Sequence, residues 1–77
     1  MELTPGQCRA ARALVGWSQD QLATASHVAK ATIANFELGK RTPYGRTLDD
    51  LIAALEAAGV EFTNGDQPGV RLAKKAE

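Results

Sequence analysis

Lys30, Thr32 and Asn35 share the outward, otherwise small-residue face of the segment KATIANFEL, and Lys40, Arg41, Tyr44 and Arg46 follow shortly after it. These side chains offer ammonium, guanidinium and hydroxyl donors, and Asn35 adds an amide that both donates and accepts. Such a set suits hydrogen bonding to phosphates and base edges rather than the making or breaking of bonds. A helix that served only to support a core would have no use for that polar side.

Reaction chemistry finds no comparable set. The chain has one cysteine, Cys8, and one histidine, His27. No recognisable signature joins them as nucleophile and base, and together they are too few for a zinc site. Asp49 and Asp50 have the position of helix-start charges rather than of a catalytic pair. The segment GDQPG lacks the lysine and following helix of a phosphate-binding loop. No enzyme activity, metal or cofactor is expected. A lone cysteine cannot close an intrachain disulfide, so Cys8 is read as packed apolar surface in a reducing, cytoplasmic setting close to the nucleoid. The N-terminal MELTPGQCRA has no basic start followed by an apolar run, and no stretch reaches the length of a membrane span.

The 77 residues amount to one small domain, and their formal net charge is zero. The distribution is uneven. Residues 27–46 carry Lys30, Lys40, Arg41 and Arg46 against Glu37, a balance of +3, whereas residues 47–67 carry five acids and no base, a balance of −5. One basic and one acidic surface are predicted.

The elements that must position these residues are signalled locally. Thr4 and Gln7 form a capping box with Pro5 at the first helical position, so a helix is predicted over 5–15, stopping at Gly16. Ser18 and Gln21 repeat the box for a short helix over 19–25. A third helix is predicted over 30–38, ending at Gly39. Pro43 and the flanking glycines mark a loop, after which Leu48, Leu51, Ile52 and Leu55 make the apolar stripe of a fourth helix closed by Gly59. The period then changes. Val60 and Phe62 alternate with polar residues, NGDQPG supplies turn chemistry, and Val70 to Leu72 complete a hairpin. The predicted fold is mainly α: a repressor-like helix-turn-helix domain of four to five helices over 1–59, a C-terminal β-hairpin over 60–72, and a frayed tail over 73–77. Val60, Phe62, Val70 and Leu72 are expected either to complete the core or to form a dimer, because an isolated hairpin is marginal in water.

Two short helices meeting at a tight bend form a helix-turn-helix, whose second helix can enter the major groove of DNA. The segment SQDQLATASHVAKATIANFELGKRTP resembles that of phage-repressor-like regulators of the Cro and repressor type, also called the xenobiotic-response-element type. The matching positions are Gln19, Leu22, Ala23, Val28, Thr32, Ile33, Glu37, Gly39 and Lys40, and the likeness runs from about Ala10 to Ala58. His27 stands where the family commonly has glycine, and Ala29 where it commonly has a serine-like cap.

With the third helix in the groove, Lys30 can donate to guanine O6 and N7, Ala31 or Ala34 can touch a thymine methyl, and Asn35 can bond adenine or a phosphate. Thr32 lies among them on the same helix. The resemblance implies that the Gln19 amide bonds a phosphate and braces residue 30. Lys40, Arg41, Tyr44 and Arg46 are read as phosphate clamps. Glu37 would repel phosphate, so its expected role is structural, pairing with Arg12 or Lys40 or bonding backbone near the loop. The predicted function is a sequence-specific regulator of transcription, a homodimer on a palindromic double-stranded operator and a repressor by default. The rival is a protein-interaction subunit, antitoxin-like or binding a regulator or polymerase, with weak DNA binding of its own.

Overall fold

The computed structural model describes residues 2–64 and 66–73. The expected tail from 74 onward and Gly65 of the expected turn lie outside the described residues. Within them the order is α1 (Pro5–Val15), α2 (Gln19–Ser26), α3 (Lys30–Glu37), α4 (Gly45–Ala57), β1 (Val60–Thr63) and β2 (Gly69–Leu72). The architecture is thus four helices and a two-stranded antiparallel hairpin.

Each of the first two helices begins with the reciprocal hydrogen bonds its sequence signals. Gln7 N–H donates to Thr4 Oγ1 at 3.0 Å while Thr4 N–H donates to Gln7 Oε1 at 2.9 Å. Ser18 and Gln21 do the same at 3.1 and 2.8 Å. The two boxes satisfy donors that a helix start otherwise leaves to water.

α1 ends at Gly16 with φ 71°, and α3 is followed by Gly39 with φ 77°. At the second of these the amides of Gly39 and Lys40 return to the carbonyls of Phe36 and Asn35, both at 2.9 Å. That pair of bonds needs a left-handed residue, which glycine supplies without strain.

The core draws on every element except β2. Leu3, Cys8 and Ala11 come from the α1 side, Leu22 from α2, Val28, Ile33 and Phe36 from the turn and α3, and Leu51, Ile52, Ala54 and Leu55 from α4. Val60 of β1 closes it. Phe62 and Val70 are half-buried against this core, whereas Leu72 is 52% exposed. The register pairs Val60 with Leu72 and Phe62 with Val70, so all four lie on one side of the hairpin. The core thus covers three of the four residues expected to complete it or to dimerise.

A buried glutamine fastens the hairpin. Gln7 is 4% exposed, and its Nε2 donates to the carbonyls of Thr63 at 3.0 Å and Gly69 at 3.1 Å, the pair that faces across the ladder. With Oε1 accepting from Thr4, both donors of the amide and its carbonyl are engaged. The sequence signalled only the capping half of this role.

Candidate nucleic-acid interface

α2 and α3 are short, and the bend between them is held by three devices. His27 takes the left-handed conformation, φ 60°, and is the one non-glycine residue with positive φ among those described. Ser26 is buried; its hydroxyl donates to Leu22 O at 2.7 Å and accepts from Val28 N–H at 3.3 Å. Val28 and Ile33 then drop into the core on either side of the α3 start, the positions of a hydrophobic staple. Ala29, at the cap position, makes no side-chain hydrogen bond to α3.

The far end of α3 is fixed by an ionic junction. Glu37 is 3% exposed and receives Arg12 Nε at 2.8 Å on Oε2 and Arg12 Nη2 at 2.7 Å on Oε1. Gln19 Nε2 donates to the same Oε1 at 3.0 Å, and the Cys8 thiol donates to Oε2 at 3.1 Å. Arg12 Nη1 reaches Trp17 O at 3.0 Å, and Arg9 donates to the Glu37 carbonyl. One carboxylate therefore ties together α1, the start of α2 and the end of α3.

The electrostatics follow from this set. Burial by itself raises the Glu37 carboxyl, but donation from Arg12, Gln19 and Cys8 outweighs it and holds the group below its ordinary value. The hydrogen bond to Glu37 pushes the Arg12 guanidinium further up. Burial, then the bond to Glu37 and its charge, drive the Cys8 thiol well above its ordinary range, so it stays protonated.

With its apolar side in the core and its end clamped, α3 leaves its other side uncovered. Lys30, Ala31 and Asn35 are exposed, and Thr32 and Ala34 are half-buried. Beyond Gly39, Lys40, Arg41 and Arg46 are exposed and Tyr44 is 88% exposed. None of these three cations takes part in an ion pair among the described residues. Thr32, Arg41, Thr42, Pro43, Tyr44 and Thr47 line an open groove of about 400 Å³ between α3 and the start of α4. The first turn of α4, which borders this groove at Tyr44 and Thr47, has no side-chain cap.

Two expected contacts differ. The Gln19 amide turns to Glu37 rather than bracing residue 30, because the buried carboxylate is the stronger acceptor within reach. Lys30 instead lies 3.3 Å from both carboxylate oxygens of Asp20. Of the partners expected for Glu37, Arg12 is the one found and Lys40 is not. Asp20 carries no expected role in the sequence, because its contact with Lys30 exists only once the bend has brought the two helix starts together.

A short helix, a left-handed bend, and a second helix whose N-terminal side is open constitute a helix-turn-helix DNA-binding domain. The model of the helix-turn-helix family matches residues 9–62, and the chain belongs to that family, in its Cro and phage-repressor type. Membership makes the protein a DNA-binding helix-turn-helix regulator, of a family that is not typically enzymatic. No curated protein matches the chain significantly. Among the described residues no helix is long and apolar enough to cross a membrane, and no three metal-ligating side chains cluster.

Proposed function

We propose that the protein is a sequence-specific regulator of transcription that works as a homodimer, laying α3 of each subunit into successive major grooves of a palindromic operator and repressing by occlusion. The observation that carries this reading is the open side of α3, with Lys30, Ala31 and Asn35 exposed and flanked by the cations Lys40, Arg41 and Arg46, which are in no ion pair among the described residues. In this reading Lys30 and Asn35 read base edges, with Ala31 or Ala34 against a thymine methyl and Thr32 beside them. Lys40, Arg41, Tyr44 and Arg46 grip phosphates, helped by the amides that open α4. Gln19 acts through Glu37, fixing the α2–α3 angle, and the second N–H of its amide nitrogen is available to donate to a phosphate. Leu72, half exposed on the hairpin, is the natural apolar contact for a second subunit.

Selection of bound duplexes from a random pool at two salt concentrations tests this. Phosphate binding falls steeply with salt while specific sites persist, so a palindromic motif with half-sites about 34 Å apart is the expected result. A second reading, an interaction subunit with weak DNA binding, is favoured by the exposed acids Asp49, Asp50 and Glu56 on α4 and by exposed Leu38 and Leu72. Its signature is binding with no enriched motif, lost at modest salt.

A further inference from the structure

Lys30 opens α3 and Asp20 stands in the first turn of α2, so the bend brings a cation and an anion together at the corner that faces DNA in the proposed reading. The ammonium lies 3.3 Å from both Asp20 oxygens, and both side chains remain largely exposed, at 57% and 71%. An exposed pair of this kind stabilises a fold by little, about 0–1 kcal/mol. Its consequence therefore lies in what the corner presents to a ligand.

We propose that Asp20 is a specificity-determining residue that restrains Lys30, trading affinity for any DNA against discrimination of one base pair. The inference rests on the base-reading role given to Lys30 above.

An unrestrained lysine is a mobile point charge that settles on the nearest phosphate, whatever the sequence. Held by Asp20, its ammonium is kept at the start of α3, the part of a recognition helix that meets base edges. Of its three N–H donors one is occupied by the carboxylate and two remain, the number that guanine O6 and N7 accept. The carboxylate also repels phosphate. A register in which this corner rests on the backbone leaves that charge desolvated and unmatched, which penalises wrong sequences more than the right one. The remaining lone pairs of Asp20 can accept from a cytosine N4 amino group next to the guanine.

The test uses the full chain with Asp20→Asn, Asp20→Glu and Lys30→Ala, and two probes: the duplex selected by the wild type, with its single-base variants, and a random-sequence duplex. Binding is followed by fluorescence anisotropy over a range of salt, and thermal melts confirm that each variant is folded. The expected result for Asp20→Asn is three- to tenfold tighter binding to the random duplex. Its plot of log K against log salt should steepen by about 0.9, one added phosphate contact. Discrimination at the guanine read by Lys30 should fall at least fivefold. Asp20→Glu restores most of the discrimination, and Lys30→Ala abolishes it without the gain in random binding. A purely structural Asp20 would shift the melts and leave the salt slope and the base preference alone. If the wild type selects a motif and Asp20→Asn matches it in slope, random affinity and discrimination, the inference falls while the regulator reading stands. If the wild type selects no motif, both fall.

Discussion

Glu37 receives four side-chain hydrogen bonds, from Arg12 twice, Gln19 and Cys8, and it is nearly inaccessible to water. Its charge is tolerated there because each oxygen is matched, and the same matching makes it sensitive to acid. A carboxyl whose folded pKa lies below its unfolded value of about 4.3 contributes stability that is complete above that value and is lost as pH falls through the folded pKa. Glu37→Gln should cost about 3 kcal/mol at pH 7, since it strands the Arg12 charge beside the core. That cost should shrink as the pH falls below the ordinary glutamate range and through the lower folded value, where the wild-type carboxyl is itself protonated. Thermal melts of both proteins from pH 3 to 7 check this; a difference that stays constant with pH would show that Glu37 acts by shape alone. Two neighbouring residues point the other way. His27 holds a conformation that glycine adopts freely, and Ala29 offers no cap to α3. His27→Gly and Ala29→Ser should each stabilise by about 1 kcal/mol, which for a domain of this size raises Tm by about 4–8 °C. A bend that melts lower with glycine would mean that the imidazole makes a stabilising contact of its own.

Among the elements, the hairpin is the one whose attachment matters most, because β1 and β2 cannot persist alone. Besides the packing of Val60, Phe62 and Val70, it is fastened by an amide from α1: Gln7→Ala leaves the Thr63 and Gly69 carbonyls and the Thr4 N–H without that partner. The expected cost is about 2–3 kcal/mol. Hydrogen exchange should show Val60–Thr63 and Gly69–Leu72 losing protection ahead of α3; uniform loss along the chain would mean the hairpin is no separate unit. The same residue shows what could be read from the sequence. Thr4 with Gln7 and Ser18 with Gln21 are signals spanning three residues, and the apolar stripe of α4 spans one helix, so the starts of α1 and α2, the glycine stops and the hairpin are legible, whereas the uncapped start of α4 is fixed by sequence only to the stretch from Tyr44 to Leu48. The grip of Gln7 on Thr63 and Gly69, and of Glu37 on Cys8, Arg12 and Gln19, joins residues that are neighbours only once the chain has folded. Nothing local distinguishes a glutamine that caps from one that also reaches a distant strand. The Asp20–Lys30 pair escaped for the same reason: it exists only at the angle the bend imposes.

For the whole molecule the question is how a chain of zero net charge meets a polyanion. The cations Lys30, Lys40, Arg41 and Arg46 lie on α3 and the segment after it, while Asp49, Asp50 and Glu56 lie exposed further along α4. A polar distribution of this kind orients an approaching duplex, although it gives little long-range attraction, so binding should depend strongly on having two subunits engaged at once. Dimerisation and folding must then be separable if the proposed function is to be tested. Val60 is 2% exposed and belongs to the core, and Phe62 and Val70 are half-buried against it, so substituting any of them confounds association with stability. Deleting residues 60–77 suffers the same fault, since it also removes the acceptors of Gln7. Leu72 escapes it. It is 52% exposed at the end of β2, on the same side of the hairpin as the other three, and its loss uncovers little of the core. Leu72→Glu should leave Tm, measured at a concentration where the wild type is monomeric, within a few degrees of the wild type. In sedimentation it should convert a dimer to a monomer, and it should weaken operator binding at least tenfold while leaving binding to a single half-site unchanged. A Leu72→Glu protein that remains dimeric and binds the operator as before would move the subunit contact away from the hairpin, to exposed Leu38 or to the outer side of α4.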